Sequence, residues 1–205
     1  MAEFERWASD DPRLASSADL GVARDHLAAA LVDDGAPAVH RRDVIAFLEA
    51  NADAAVRENQ VGHLTGSALV VDAAGERTLL MLHRKLGRWF QPGGHADGDT
   101  NLPAVALREA QEETGIEGLT VLVPAIDVDI HRVEPPNEAS HLHLDTRYLV
   151  LAPPGALEHA NEESLALRWV AESELDYLDP PVDDSTRRLV VRGLAVARRL
   201  LGEPG

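Results

Sequence analysis

The sequence predicts a mixed α/β domain, of the α+β kind, preceded by a small helical hairpin. Residues 67–71 and 78–82 are apolar and partly β-branched, as strands are, and a short turn containing Gly75 separates them. A helix with clear start and stop signals follows these strands, and two more helical patterns occupy the first 60 residues. Because helices are interleaved with strands, we expect a mixed sheet that is covered by helices.

The N-terminal part is predicted to be helical and separate from the main domain. Residues 1–16 show no clear periodicity and are predicted to form a loose arm. From about residue 17, apolar residues recur at helical spacing until the pattern ends at Gly35, and a second helix is predicted over residues 41–50. We therefore divide the chain into an N-terminal helical extension, residues 1–60, and a main domain, residues 61–205.

Three more strand segments and a C-terminal helix complete the predicted domain. The clearest of these strands alternates apolar and polar residues, with Leu142, Leu144 and Tyr148 on one side. The predicted strand segments are residues 119–130, 141–151 and 167–170, and the helix spans about residues 184–201.

Composition narrows the functional classes. The 205-residue chain is 45% hydrophobic, has no cysteine and carries a net charge of −16. The acidic balance argues against binding to a nucleic acid duplex, because phosphate backbones select basic surfaces. No apolar run approaches the roughly 18–20 residues that cross a bilayer, and the acidic start is unlike a secretory signal. We expect a cytoplasmic protein without a membrane contact.

The helix after the first strands carries a cluster of carboxylates. Asn101 is a good N-cap, Pro103 suits the first turn, and Gly115 stands where a C′ glycine ends a helix. At about 100° per residue, Glu109, Glu112 and Glu113 fall within one arc beside the apolar face.

These three glutamates have two interpretations. Oxygen ligands at close quarters suit Mg²⁺ or Mn²⁺, whereas a Glu-rich helix taken alone is more often a solvated face. Gly93 and Gly94 precede the helix and allow a close approach of the backbone, so that a carbonyl can join the ligands or the loop can contact a phosphate. The glycine loop therefore favours a metal site.

The spacing of these residues resembles the signature of the Nudix hydrolase family. The signature is a glycine, five residues, Glu, seven residues, then Arg-Glu, an aliphatic, any residue, Glu-Glu, any residue, Gly and an aliphatic. The chain has Gly94, five residues, Thr100, seven residues and then REAQEETGI from Arg108 to Ile116, which meets eight of the nine specified positions. The lead-in at residues 89–94 and the segment beginning at Arg168 are also similar to the family, so the resemblance covers about residues 62–200.

The resemblance implies a Nudix α/β/α sandwich and cleavage of a phosphoanhydride bond in a nucleoside diphosphate linked to another group. It implies Mg²⁺ or Mn²⁺ held by Glu109, Glu112, Glu113 and the Gly94 carbonyl, with a metal-activated water attacking phosphorus. The general base is then a box glutamate, with Glu109 and Glu112 as catalytic residues, or an acid of a later loop, Glu163 or its neighbour Glu162. The alternative is a Nudix-fold domain that has lost efficient catalysis and serves as a nucleotide-binding or regulatory domain. An isopentenyl-diphosphate isomerase shares the fold but depends on a cysteine that this chain lacks.

Thr100 departs from the family pattern, since the family has its first glutamate there. In the family that glutamate is thought to brace the arginine of the box, here Arg108, and to order the loop rather than to bind metal directly. The resemblance assigns Arg108, Gly115 and residue 100 to the structural support of the site. Asp99 or Asp97 could replace it, or Arg108 could pair with Glu112 four residues on. We expect the activity to survive this replacement, because the metal-binding glutamates are all present.

Four residues are candidates for substrate binding. Arg84 could clamp a phosphate, His95 and His143 could contact the substrate, and Trp89 could stack on a base. Each also has a simpler interpretation, as a surface ion pair, a loop or sheet histidine, or a core aromatic. His141, His143 and Asp145 alternate along one strand, which leaves a transition-metal site as the less favoured reading. The extension could cover the cleft, mediate a homodimer or buttress the fold, and the sequence does not identify the substrate.

Overall fold

The structure is a computed structural model, and it describes residues 4–32, 34–134, 139–162 and 164–202. The strands are β1 (Glu5–Ala8), β2 (Gly62–Val71), β3 (Arg77–His83), β4 (Arg88–Phe90), β5 (Gly93–His95), β6 (Thr120–Val133), β7 (His141–Leu151) and β8 (Ser164–Ala171). The α-helices are α1 (Leu20–Ala29), α2 (Gly35–Ala50), α3 (Leu102–Thr114) and α4 (Asp184–Gly202). Short 3-10 helices span Pro12–Leu14 and Glu172–Tyr177.

All eight strands belong to one mixed sheet. Its main path is β1-β6-β7-β2-β3-β4, while β5 pairs with β2 and β8 pairs with β3. The central pair β2 and β7 is parallel, and the other pairs are antiparallel. In the parallel register His63 lies opposite His143 and Thr65 lies opposite Asp145, which brings two polar segments of distant sequence side by side.

Helices cover both faces of the sheet and confirm the predicted α/β/α sandwich. One core joins α1, α2 and α3 to the sheet through residues such as Leu27, Val44 and Val105. The second core joins α4 to the opposite face through Leu69 and Leu194, among others. Burial of these apolar side chains on both faces is the main stabilising contribution to the fold. No helix in the described part of the chain is long and apolar enough to cross a membrane.

The predicted loose arm was wrong. Residues of β1 pair with the start of β6, with Trp7 opposite Val121, and the Trp7 side chain is buried. A four-residue strand is too short to show periodicity in the sequence, and pairing with β6 is what orders it.

The predicted end of the first helix was also wrong, because Gly35 begins α2 instead of closing α1. The division at residue 60 stays a prediction, although β1 joins the same sheet as the main domain.

Candidate active site

Helix α3 begins and ends as the sequence predicts, with one difference. Gly115 adopts the left-handed conformation at φ 65°, and its N–H donates to the Gln111 carbonyl. Asn101 occupies the N-cap, but its side chain caps nothing; it donates to the carbonyls of Arg13 (2.8 Å) and Ala15 (2.9 Å). The predicted N-cap position of Asn101 is confirmed, and its amide bonds the N-terminal arm instead of the first turn of the helix.

The glycine loop lies against the carboxylates of α3. Glu113 is buried, and its Oε2 accepts a hydrogen bond from the Gly93 N–H at 2.9 Å. A Cβ atom placed on Gly94 would overlap Oε2 of Glu109, so any larger residue there requires that carboxylate to move. Glu112, on the same side of the helix, is exposed.

Electrostatics at this position suit a cation. Burial and the nearby charge of Glu112 raise the pKa of Glu109, although Arg108 opposes the rise through a hydrogen bond and its charge. A divalent ion beside these carboxylates would favour their charged forms and relieve their mutual repulsion. Carboxylate oxygens, which residues 109, 112 and 113 carry, are ligands of the hard type that Mg²⁺ and Mn²⁺ prefer.

Arg108 is braced differently from any of the three ways that we considered. Its Nη2 donates to Oε1 of Glu109 at 3.0 Å and to the backbone carbonyl of His95 at 3.1 Å. Asp97 pairs instead with Arg57, at 2.6 and 2.8 Å. The predicted pairings of Arg108 with Asp99, Asp97 or Glu112 were therefore wrong, because Glu109 is adjacent on the helix and already faces the guanidinium.

Thr100 holds the N-terminal arm. The residue is fully buried, its N–H donates to the Ser17 carbonyl at 2.7 Å, and its Oγ1 lies 3.0 Å from that carbonyl and 2.8 Å from the Asp19 carbonyl. Asp99 adds a contact, since its Oδ1 accepts from the Ser17 N–H at 3.1 Å. We call residues 99–101 the arm clasp. A glutamate at residue 100 would place a longer, charged side chain in this buried contact.

The loop before β8 is tied to the end of β3 through Arg84. Its Nε donates to the Glu162 carbonyl at 2.8 Å and its Nη2 to the Ser164 carbonyl at 3.1 Å. The side chain of Glu162 is exposed. Glu163, which we predicted as a general base, lies outside the described residues. The side chain of Arg84 therefore holds both neighbours of Glu163 in the chain.

A group of histidines, which we call the histidine cluster, lies on the face of the sheet opposite α3. One ring nitrogen from each of His63, His95 and His143 lies within 4.8 Å of the other two. His141 and His131 also have ring centroids 5.3 and 5.4 Å from that of His143. We did not predict a role for His63 from the sequence. Its position two residues before Thr65, at the start of a strand, is the feature that could have indicated it.

The site of His141, His143 and Asp145 that we considered does not form, because Asp145 has other partners. Its carboxylate accepts from Ser67 at 2.9 Å, Thr65 at 3.1 Å and Arg147 at 2.7 Å. It thus belongs to a separate buried group of charges further along the sheet.

That group of charges centres on Arg147, which is 3% exposed. Its guanidinium bonds Asp145 and reaches Asp127 and Asp129 at 3.2 Å each. Arg188 of α4 bonds the same two aspartates from the other side, at 3.1 and 2.9 Å. We call these residues the Arg147 network; it joins α4 to the sheet, and Arg147 is a structural ion-pair partner here.

Trp89 is a core residue. It is buried in the core beneath α4, and its Nε1 donates to the Asp179 carbonyl at 3.2 Å. This arrangement corresponds to the simpler of the two interpretations of Trp89.

The chain belongs to the NUDIX family, because the family model described as the NUDIX domain matches residues 63–192, well over half of the sequence. Among solved structures, it resembles a NUDIX-family hydrolase from Clostridium perfringens (22% identity, TM-score 0.51) over 65% of this chain and 97% of that one. It also resembles an Ap4A hydrolase from C. elegans (16% identity, TM-score 0.52) over 68% of this chain and 98% of that one. At these identities the likeness concerns the fold.

A curated relative is similar in sequence. A Mycobacterium tuberculosis protein provisionally named 8-oxo-dGTP diphosphatase 3 is 34% identical in an alignment of 110 residues, which covers 49% of this chain and 48% of the relative. The chain thus spans about half the length of the curated relative that it matches.

Proposed function

We propose that this protein is a pyrophosphohydrolase that cleaves a phosphoanhydride bond in a nucleoside diphosphate linked to another group. The observation that carries the proposal is the position of Glu109 and Glu113 against Gly94 and Gly93, which brings two of the box carboxylates to the loop backbone. Family membership supports it, because the family is one of hydrolases with this glycine loop and helix.

The residues present fit a divalent cation. Glu109, Glu112, Glu113 and the Gly94 carbonyl would hold Mg²⁺ or Mn²⁺. When bound, the ion neutralises the charge of the substrate and lowers the pKa of a coordinated water. Arg108 positions Glu109 and the His95 carbonyl, and it thereby sets the separation of the helix and the loop.

A general base must also accept a proton from the attacking water. A box glutamate is one candidate. Glu162 and Glu163 are the others, and the two hydrogen bonds of Arg84 to the backbone on either side of Glu163 support a positioned acid in this loop. Arg84, which we predicted to bind substrate, is then a positioning residue.

A panel of nucleotides tests the proposal. We would follow the magnesium-dependent hydrolysis of 8-oxo-dGTP, diadenosine tetraphosphate and nucleoside diphosphate sugars by chromatography of the nucleotide products, because the names of two similar proteins include the first two compounds. We expect at least one compound to be turned over only with Mg²⁺ or Mn²⁺.

The variant Glu112→Gln is the direct test of the box, since Glu112 is exposed and supplies no core contact. We expect turnover to be abolished and stability to be unchanged. Glu117→Gln, an exposed glutamate just beyond α3, is the matched control and should retain the wild-type rate. Wild-type turnover by Glu112→Gln contradicts the metal assignment. Absence of any turnover by the wild type, with tight nucleotide binding, would instead support the binding-domain alternative.

A further inference from the structure

We propose that His63, His95 and His143 form a second metal site, for a divalent transition metal such as Zn²⁺, apart from the Nudix box. One nitrogen of each ring lies within 4.8 Å of the others. In a tetrahedral zinc site with Zn–N bonds of about 2.0–2.1 Å, neighbouring nitrogens lie about 3.4 Å apart. To close the site, the nitrogens must therefore approach one another by up to about 1.4 Å.

Strand pairing fixes the positions of the three residues. His63 of β2 lies directly opposite His143 of β7, and His95 of β5 lies opposite Thr65, the next residue on the same face of β2. Since side chains alternate across a strand, all three project from the face that lies away from α3. Three paired strands thus hold the ligands, near the starts of β2 and β7 and at the end of β5.

The burial of His63 points to a ligand. The residue is 1% exposed, and within the described part of the chain neither Nδ1 nor Nε2 makes a hydrogen bond of normal geometry, although the Asn59 backbone lies nearby. Buried polar atoms without partners are uncommon in native proteins, and each asks for an explanation. A metal ion coordinated by one of the two nitrogens would provide that partner.

The ligand atoms of this site suit a transition metal. Neutral imidazole is the form that binds metals, and imidazole nitrogen suits Zn²⁺, Cu²⁺, Ni²⁺ or Fe²⁺ more than Mg²⁺. The chemistry of this site therefore differs from that of the oxygen-rich box.

The other two histidines of the cluster have different partners. His141 Nδ1 lies 2.8 Å from the Ala139 carbonyl, and His131 Nδ1 lies 3.2 Å from Asp129. Three protein ligands leave a fourth position for a water or a substrate oxygen, as in zinc sites that are not purely structural.

The proposed site lies on the reverse side of the glycine loop. The Cβ direction of Gly94 points at Glu109, whereas His95, the next residue, lies on the opposite face of β5. Metal at the histidine cluster would thus tether β5 to β2 and β7 and fix the loop that faces the box. This role goes beyond the proposed hydrolase function, and the site exists whether or not that function is correct.

Zn²⁺ itself is the probe. We would first remove metal from the full chain with a chelator. We would then titrate it with Zn²⁺ in competition with a chromophoric chelator, and we expect one tightly bound zinc ion per chain. His143→Gln should weaken this binding by at least about 100-fold, more than the loss of an outer partner of a metal ligand usually costs. His159→Gln changes an exposed histidine outside the cluster and should bind as the wild type does. Glu112→Gln should also retain the tight ion, which separates this site from the box.

Spectroscopy of the wild-type protein tests the site even if a variant fails to fold. With Co²⁺, the absorption of a tetrahedral or five-coordinate ion should appear at one equivalent, and X-ray absorption of the zinc-loaded protein should show three imidazole nitrogens. Unchanged zinc affinity in His143→Gln would overturn the proposal. So would loss of zinc in Glu112→Gln, or an all-oxygen coordination shell.

Discussion

The hydroxyl of Thr100 lies 2.8 Å from the backbone carbonyl of Asp19, to which it donates, and joins the active-site loop to the N-terminal arm. The family glutamate at this position is thought to order the same loop through the box arginine. In this chain the arm clasp orders the loop from the other side, and Arg108 is braced by Glu109. Replacement of the glutamate therefore accompanies a different structural support.

Thr100→Val tests the arm clasp. The change removes the hydroxyl that lies 3.0 Å from the Ser17 carbonyl and 2.8 Å from the Asp19 carbonyl, at almost constant volume, while the backbone N–H of residue 100 still bonds Ser17. We expect the free energy of unfolding to fall by about 1–3 kcal/mol, measured in urea, and the arm to become sensitive to proteases. Thr120→Val, at a half-buried threonine of β6, should cost much less. Equal effects of the two changes would contradict the clasp.

Gly94→Ala tests the contact between the loop and α3. The added Cβ would overlap the Glu109 carboxylate, so the loop and the carboxylate must move apart. Because a displacement of about 1 Å can cost about 100-fold in rate, we expect kcat/KM to fall by about that factor. Gly202→Ala, where nothing lies within 4 Å of the added carbon, should keep its rate. Full activity of Gly94→Ala would show that Glu109 need not lie against the loop.

Arg84→Gln distinguishes positioning from substrate binding. The arginine is exposed and holds the backbone on both sides of residue 163. We expect kcat to fall by about 10-fold, a part of the roughly 10²–10⁴-fold that a positioned base contributes, with KM unchanged. Lys85→Gln, an exposed neighbour, is the control. A rise in KM with unchanged kcat would restore the phosphate-clamp interpretation.

Arg147→Gln tests the Arg147 network. The change removes a buried guanidinium that pairs with three buried aspartates. We therefore expect the free energy of unfolding to fall by about 3–5 kcal/mol at pH 7. Chemical unfolding at several pH values measures this difference. An unchanged stability would mean that the network contributes nothing.

The pH dependence of this loss has a definite sign. Burial alone would raise the pKa of Asp129, but its hydrogen bond with His131 and its contacts with Arg147 and Arg188 hold it well below the ordinary value of 3.8. Its contribution to stability is therefore present above about pH 4 and is lost as the pH falls further. The gap between wild type and Arg147→Gln should narrow below about pH 4. The charged and titratable groups that face Asp129 are Arg147 and Asp145 from β7, Arg188 from α4, His40 from α2, and Asp127 and His131 from β6 itself.

The sequence predicted the elements that have a long hydrophobic periodicity or clear start and stop residues. The range of β7, residues 141–151, was correct at both ends, and Gly115 ends α3 as expected. Short strands such as β4 and β5 were not predicted, because three residues carry no period and only pairing with a neighbour defines them.

The site was predictable only where its residues are close in sequence. The box glutamates lie on one helix, so their spacing shows which side they share. His63 and His143 are 80 residues apart, and only the parallel register of β2 and β7 brings them together. The contacts of Thr100 with Ser17 and Asp19 likewise join distant segments, and local patterns contain no information about them.

Strand β1 has a consequence for solubility. Without it, the first four residues of β6 would present unpaired N–H and C=O groups along an open edge, a template for strand addition by another molecule. β1 covers that stretch with a strand of only four residues whose exposed side chains include Glu5 and Arg6, and charges on a short edge strand discourage further pairing. Residues 5–8 therefore protect the edge of β6 from intermolecular strand pairing. Their removal would expose backbone groups to which other copies of the chain can pair.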